Sequence, residues 1–269
     1  MTIAPDDRPA RDPQARRRSR RRRTALALAA AAATAAAVGL APWLRSSAPQ
    51  HARVIRWVRE GAARHPDWRV TGGRACPGAP MVLPTDGFIG YGWDDRFRPG
   101  HRHTGLDIFS PDGAEDVTPV VAAYDGLLTR APGWRSAVII RHPDFPADFA
   151  PLAARPPAGG VIWTYYAHMA SADGAHSFID AAFPPGTRDR PVRAGERLGR
   201  QGMWSGDPAR PVGLHLHVSI VEGTPEGGYA DETDIARTYD PAPFFGLARG
   251  RDGVLRCAAG GAGGEAGGT

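Results

Sequence analysis

Short apolar runs separated by glycine, proline and aspartate dominate residues 82–245. Runs of this length, bounded by residues that favour turns, are typical of β-strands. In the last run, apolar residues alternate strictly with His215, His217 and Ser219. A strand would therefore place both histidines and the serine on one face and the apolar residues on the other. We predict four such strands, at Thr118–Tyr124, Ala137–Arg141, Val161–Tyr166 and Leu214–Val221.

The residues before these runs follow a helical pattern. Gln50–Ala63 places its apolar residues on one side, which predicts a short amphipathic helix that ends before Pro66. We interpret residues 45–81 as a linker containing this helix and residues 82–247 as one folded domain. We interpret residues 248–269 as a tail, and Gly253–Thr269 is rich in glycine and alanine, which predicts disorder there.

The N-terminus has the pattern of a targeting segment. Residues 1–24 form a basic tail with nine arginines and three aspartates, and residues 25–44 are uncharged and mostly apolar. A basic flank before an apolar run predicts an N-terminal membrane or signal helix. It could remain as a transmembrane anchor, since 20 residues are enough to span a bilayer, or be cleaved after Ala48. Either alternative predicts an exported protein, membrane-anchored and facing the periplasm or cell wall, or secreted after cleavage.

The basic isoelectric point, about 9.7, comes from this tail alone. The whole chain carries a net charge of +5 and residues 1–24 carry +6, so the remaining residues together carry −1. A protein that binds nucleic acid through its folded domain would carry its positive charge on that domain. The charge distribution therefore excludes nucleic acid as the expected partner.

The two cysteines lie on either side of the region that is rich in motifs. A bond between Cys76 and Cys257 would join the ends of the domain and would suit an oxidising compartment. The alternative is a pair of unpaired thiols. Two cysteines so far apart do not predict a cysteine-rich metal site.

Three short motifs contain the candidate chemistry. His103 and Asp107 form an HxxxD pair, His168 ends an apolar and aromatic run, and His215 and His217 share one strand face. Imidazole nitrogen and carboxylate oxygen are both good zinc ligands. Each motif alone is weak, because histidines at strand ends and on exposed faces are common.

Taken in order, the motifs resemble those of the lysostaphin/LytM-type zinc endopeptidases of bacterial cell walls. That family has an HxxxD motif, then Tyr-x-His, here Tyr166–His168, and then HxH. The connecting stretches Thr118–Gly126 and Ala194–Gly202 are similar too, and Gly213 precedes the last motif as it often does in the family. The resemblance covers roughly residues 85–225.

The resemblance implies a fold, a cofactor and a site. The fold would be mainly β, an antiparallel sheet with long loops and a zinc cleft on one face. One Zn²⁺ would be held by His103, Asp107 and His217, and His168 and His215 would be the catalytic histidines. Three protein ligands leave a fourth position for water, which is the pattern of a catalytic rather than a structural zinc site.

The implied function is hydrolysis of peptide cross-links or stems in peptidoglycan. The composition, which is rich in alanine, glycine, proline and arginine, suggests a GC-rich genome, and we expect D,D-endopeptidase activity on that basis. Two alternatives remain: a catalytically silent wall-binding regulator of another hydrolase, and a secreted zinc peptidase acting on glycine-rich proteins. The presence of every expected ligand favours the enzyme. The expected partners are peptidoglycan, the membrane through the N-terminal segment, and an unknown regulatory protein.

Other residues near the motifs receive a structural interpretation. His101 is expected at the rim of the cleft and outside the site, and His142 is expected to be structural. Two long stretches, Pro143–Gly160 and Ser171–Arg193, are expected to be loops beside the active site.

Overall fold

The computed structural model describes residues 48–98 and 100–258. The predicted basic tail and the predicted membrane or signal helix at 25–44 lie outside these ranges. None of the helices within them is both long and apolar enough to cross a membrane.

Strands account for most of the regular structure. The chain is helical from residue 48 to residue 60, which we call α1, and a second short helix, α2, spans Ala150–Ala154. Single 3-10 turns lie at Ala62–Arg64, Pro66–Trp68, Ala158–Gly160 and Ile235–Arg237. The strands are β1 (Arg69–Val70), β2 (Gly87–Tyr91), β3 (Leu106–Phe109), β4 (Pro119–Val121), β5 (Gly126–Thr129), β6 (Val138–His142), β7 (Ile162–Ala167), β8 (Arg190–Val192), β9 (Arg197–Arg200), β10 (His215–Glu222), β11 (Thr238–Tyr239), β12 (Leu247–Arg249) and β13 (Leu255–Cys257).

One large antiparallel sheet organises the domain. Its strand order is β1-β2-β3-β10-β7-β6-β5-β8, and β11 also pairs with β10. The longest strand, β10, lies between β3 and β7, so it is hydrogen-bonded along both edges. The predicted class, a mainly β domain built on an antiparallel sheet, is confirmed.

The alternation in β10 separates the two faces of this sheet. Leu216, Val218 and Ile220 are fully buried in the main core, together with Leu106 and Ile108 of β3. The residues between them point to the opposite face, as the pleat of a strand requires. The main core therefore lies on one side of the sheet, and the polar motif residues lie on the other.

Helix α1 packs against the polar-motif side of the sheet. Trp57 is buried against Phe88 of β2, with ring centroids 5.5 Å apart. Its indole N–H donates a hydrogen bond of 2.8 Å to the backbone carbonyl of Ser110. The amphipathic helix predicted at Gln50–Ala63 is thus present, shifted by two to three residues, and belongs to the folded unit.

Three of the four predicted strands agree with β6, β7 and β10 to within one residue. The fourth prediction, one strand over Thr118–Tyr124, is correct only for Pro119–Val121, where β4 pairs with β9 in a separate two-stranded sheet. The backbone of Ala122 bonds with the 195–196 turn instead, and the N–H of Ala123 bonds with the Tyr166 hydroxyl. Strand β4 therefore ends after Val121, because the next backbone groups bond with a loop and a side chain and not with a neighbouring strand.

The segments on both sides of the predicted domain take part in the fold. Strand β1, within the predicted linker, pairs with β2, and the β12–β13 hairpin begins at the last residue of the predicted domain and continues into the predicted tail. The predicted disulfide between Cys76 and Cys257 is confirmed, with Cα atoms 5.2 Å apart. This bond joins the two outer segments.

The long stretch Pro143–Gly160 lies elsewhere than expected. Phe145 and Leu152 are buried in the main core cluster, and Phe145 lies 5.6 Å from the ring of Phe244. The expectation that this stretch lies beside the active site is wrong, because its aromatic and aliphatic side chains pack into the main core.

Candidate metal centre

Strand pairing brings the first and last motifs together. In the register of β3 and β10, Asp107 lies directly opposite His217, on the face away from the main core. His103 comes from the segment just before β3. All three residues are nearly fully buried, between 3% and 8% exposed.

The three side chains converge through one atom each. His103 Nε2 lies 3.0 Å from Asp107 Oδ1, His217 Nδ1 lies 2.9 Å from the same oxygen, and the two nitrogens are 3.1 Å apart. Within residues 48–98 and 100–258, this is the one group of three or more such side chains that could hold a metal ion. Sequence reasoning named these three residues as the zinc ligands.

The other nitrogen of each ligating ring is held by a partner. His103 Nδ1 donates a hydrogen bond of 2.9 Å to the carbonyl of Gly92, which leaves a lone pair on Nε2. His217 Nε2 lies 2.8 Å from the hydroxyl of Ser219, which suits a lone pair on Nδ1. Metal-binding histidines are oriented in this way, by a hydrogen bond from the nitrogen that does not bind the metal.

The spacing of the donors fits zinc. Ligand atoms about 2.0–2.1 Å from a tetrahedral zinc ion lie about 3.3 Å from one another, close to the separations found here. Two imidazole nitrogens and one carboxylate oxygen form a donor set typical of zinc. The residues present therefore support Zn²⁺ as the cofactor.

The electrostatics of the cluster also favour a cation. Burial would lower the pKa of His217, but hydrogen bonds and charges from Asp107 and Glu232 outweigh it and raise that pKa to about 9. Burial would raise the pKa of Asp107, yet His103 and His215 hold it well below its usual range. The carboxylate is thus kept ionised, and the protein favours positive charge at the point where the three donors meet.

The two predicted catalytic histidines lie beside this cluster. The His168 and His215 ring centroids are 4.6 Å apart, and that of His168 is 6.1 Å from that of His217. His215 Nδ1 donates a 2.5 Å hydrogen bond to the carbonyl of Gly213, and its Nε2 lies 3.4 Å from Asp107 Oδ1. The structure therefore brings all five predicted site residues into one cluster.

His168 is held in an unusual backbone conformation. It follows β7 directly and has a φ of 71°, which a non-glycine residue rarely adopts. Its Nδ1 donates a 2.6 Å hydrogen bond to the carbonyl of Trp204, so Nε2 carries the lone pair. Burial, followed by the nearby His215 and His217, lowers the pKa of His168 to about 3. The ring is consequently neutral near pH 7, with its lone pair on Nε2.

A stacked arginine supports the loop that holds His168. The guanidinium carbon of Arg135 lies 5.1 Å from the centre of the Trp204 ring, and its Nη1 donates to the carbonyl of Gly174 at 2.7 Å. These contacts connect three loops around the carbonyl that accepts from His168. The segment at 171–193 therefore does contribute contacts near the site.

The two tyrosines of the middle motif face opposite sides of the sheet. Tyr166, which the Tyr-x-His pattern singles out, is fully buried in the main core and accepts a hydrogen bond from the N–H of Ala123. Tyr165 is the one on the site face, with its ring 6.1 Å from that of His217. Tyr166 thus has a structural contact, and Tyr165 lines the site.

Sequence reasoning missed Glu232. Its carboxylate lies 3.7 Å from His217 Nε2, although it follows His217 by 15 residues in a loop without a recognisable motif. The alternation in β10 did indicate Ser219 on the histidine face. His101 is half-buried against Phe97, with ring centroids 4.8 Å apart, and is not among the converging donors.

No protein-family model matches the chain, and no curated protein matches it either. Solved structures from several bacteria resemble the chain at low identity, and several of them are named as lysostaphin, LytM or M23 peptidases. They include Csd3 from Helicobacter pylori (18% identity over 70% of this chain and 38% of that chain, TM-score 0.37). They also include the catalytic domain of the antimicrobial peptidase lysostaphin from Staphylococcus simulans (18%, 63% and 93%, TM-score 0.36). A zinc-containing peptidase from Vibrio cholerae is a third (16%, 60% and 40%, TM-score 0.33). The matched region spans less than half of the Csd3 and Vibrio chains.

Proposed function

We propose that this chain is a lysostaphin/LytM-type zinc endopeptidase that hydrolyses peptide bonds in the stems or cross-links of bacterial peptidoglycan. The observation that carries the proposal is the convergence of His103, Asp107 and His217, beside His168 and His215. A metal with three protein ligands keeps a position for water, whereas structural zinc sites are closed by four.

His103, Asp107 and His217 would hold the zinc ion. Bound zinc supplies a water of lowered pKa and polarises the scissile carbonyl. The protein aims both ligating nitrogens at one point by hydrogen-bonding the far side of each ring, to Gly92 and Ser219. The ligands are therefore oriented before the metal binds, which limits the reorganisation needed on binding.

His168 and His215 would handle the protons of the reaction. The Nδ1 atom of each ring donates a hydrogen bond to a backbone carbonyl, so Nε2 is the atom that can exchange a proton. One of these two histidines would accept a proton from the attacking water, and in its protonated form a histidine would donate to the leaving amine. General acid–base groups placed in this way contribute about 10²–10⁴-fold to the rate.

We propose export and a D,D cross-link substrate on separate grounds. The Cys76–Cys257 disulfide supports an oxidising compartment, since such bonds are rare in the cytosol. Composition suggests direct cross-links, and the D,D assignment rests on that alone. Anchoring through residues 25–44, a cleaved signal, and a regulatory partner protein remain predictions from the sequence.

The full-length protein tests the proposal. Bound zinc is quantified, and cross-linked muropeptides and a pentaglycine-bridged substrate are digested and analysed by mass spectrometry. We expect one zinc per chain and cleavage of the D,D cross-link. Cleavage of the glycine bridge alone would overturn the D,D assignment but retain the endopeptidase.

Variants separate metal binding from catalysis. His217→Ala should lose both zinc and activity, whereas His168→Ala should keep zinc and lose about 10²–10⁴-fold in rate. His176→Ala, at an exposed position, is the matched control and should behave as wild type. Zinc binding with no cleavage of any wall substrate would favour the non-catalytic regulator, and a chain that binds no zinc would refute the site.

A further inference from the structure

The outer edge of His217 faces a carboxylate that the proposed mechanism does not use. Ser219 Oγ lies 2.8 Å from His217 Nε2, and Glu232 Oε2 lies 3.7 Å from the same nitrogen. The hydroxyl of Thr104 donates to Glu232 Oε2 at 3.3 Å. Thr104 adjoins His103, so Glu232 contacts one ligand directly and the chain neighbour of another.

The loop that carries Glu232 is held on both sides. The backbone N–H of Thr224 donates to the carbonyl of Gly228, and Gly223 forms an isolated antiparallel β-bridge with Tyr229. Immediately after Glu232, the N–H and hydroxyl of Thr233 both donate to Oδ1 of Asp231. These bonds fix the backbone around Glu232, so its approach to His217 belongs to a defined loop conformation.

Glu232 is largely withdrawn from water beside a metal ligand. Its side chain is only 20% exposed, and within the described part of the chain its ion-pair contact is with His217, not with an arginine. Removing a carboxylate from water without a full counter-charge is unfavourable. A positively charged centre on the other side of His217 would compensate for this.

We propose that Glu232 is a positioning residue for the metal centre, acting through His217. The Nε2–H of His217 donates its hydrogen bond to the Ser219 hydroxyl. The negative charge of Glu232 stabilises the proton on Nε2, and the lone pair of His217 therefore stays on Nδ1, where it would face the metal. Contacts of this kind fix the tautomer of a ligating histidine and increase its basicity. The inference rests on the metal site of the proposed function, not on its reaction.

Zinc affinity is the direct test. Full-length protein stripped with a chelator is titrated with zinc against a chromophoric chelator at fixed pH, so the readout does not depend on activity. Glu232→Gln keeps the shape of the side chain and removes its charge, and we expect affinity to fall by about 10–100-fold. Glu226→Gln, the same substitution at an exposed position of the same loop, is the control and should stay within about twofold of wild type.

Two further measurements distinguish positioning from a general effect on folding. The zinc-free Glu232→Gln protein should still unfold in one cooperative transition, as wild type does, and its cobalt-substituted form should show a shifted visible absorption band. Glu232→Asp, which keeps the charge, should retain more zinc affinity than Glu232→Gln.

The outcomes separate this inference from the proposed function. Wild-type affinity in Glu232→Gln, an equal loss in Glu226→Gln, or an equal loss in Glu232→Asp would each overturn the role of Glu232. Failure of the wild-type protein itself to bind zinc would instead refute the metal site on which the proposed function depends.

Discussion

The buried histidine outside the metal centre predicts a specific dependence of stability on pH. His142, at the end of β6, is only 1% exposed. Its Nδ1 donates a 2.8 Å hydrogen bond to the carbonyl of Asp125, and its Nε2 pairs with the hydroxyl of Thr164 at 2.9 Å. Burial lowers its pKa from 6.5 to about 4, although the Asp125 carbonyl and carboxylate oppose this.

The sign and the size follow from that pKa. Because the folded-state pKa lies below the unfolded-state value, the unfolded chain takes up a proton first as the pH falls. The contribution of His142 is therefore fully present above about pH 6.5 and is lost as the pH falls through about 4. A change from 6.5 to about 4 corresponds to about 3 kcal/mol, with a maximum slope of about 1.4 kcal/mol per pH unit.

Denaturant unfolding at several pH values, followed by tryptophan fluorescence in the presence of a chelator, would measure this. His142→Asn keeps a donor for Asp125 but removes the hydrogen bond to Thr164, so it should be about 1–3 kcal/mol less stable than wild type at pH 7.5. The free energy of unfolding of wild type relative to the variant should fall by about 3 kcal/mol between pH 7.5 and pH 4, which abolishes or reverses the difference, because carboxylates common to both cancel.

The matched control is His176→Asn, which removes an exposed imidazole and should give a curve parallel to wild type. A difference between wild type and His142→Asn that stays constant across this pH range would refute the reasoning. It would mean that His142 becomes charged in the folded protein as easily as in the unfolded chain.

Three further predictions concern the disulfide, the turn before β3 and the metal. Replacing Cys76 and Cys257 by alanine removes a cross-link between residues 181 positions apart. The chain-entropy model gives such a cross-link about 5 kcal/mol of stability, and denaturant unfolding should show most of this loss. A loss under about 1 kcal/mol would contradict that model. In Gly105→Ala, the new Cβ would collide with the carbonyl of Val218, next to His217, so we expect about 1–3 kcal/mol of destabilisation and weaker zinc binding. Gly133→Ala, where a Cβ meets nothing within 4 Å, is the control, and equal effects in both variants would refute the collision. Finally, chelation should lower the melting temperature and added zinc should restore it, since a ligand that binds only the folded state stabilises it; an unchanged melting temperature would argue against a folded-state metal site.

The sequence predicted β10 best because its pattern has the period of a strand. Alternation along Leu214–Val221 indicated that His215, His217 and Ser219 share a face, and the structure agrees. The prediction for Thr118–Tyr124 was too long because the partners of Ala122 and Ala123 come from distant parts of the chain. A local pattern contains no information about such partners.

The resemblance identified the ligands without explaining how they meet. His103 and His217 are separated by 114 residues, and only the antiparallel register of β3 and β10 places Asp107 opposite His217. The register of β7 and β10 decides in the same way that Tyr165, not Tyr166, faces the site, because Tyr165 pairs with Ser219.

The sequence by itself determined the strand at β10, the face on which its histidines lie and the candidate ligands. It left a bond between the two cysteines as one of two alternatives. Tertiary structure alone decided where the chain folds back on itself, and with it the disulfide and the contacts of His142 and Glu232. The physical reason is that strand period is a local property, readable over a few residues, whereas contacts between distant residues depend on how the whole chain packs. Glu232 reaches His217 through a loop without periodicity, so its role could be inferred only once the fold was known.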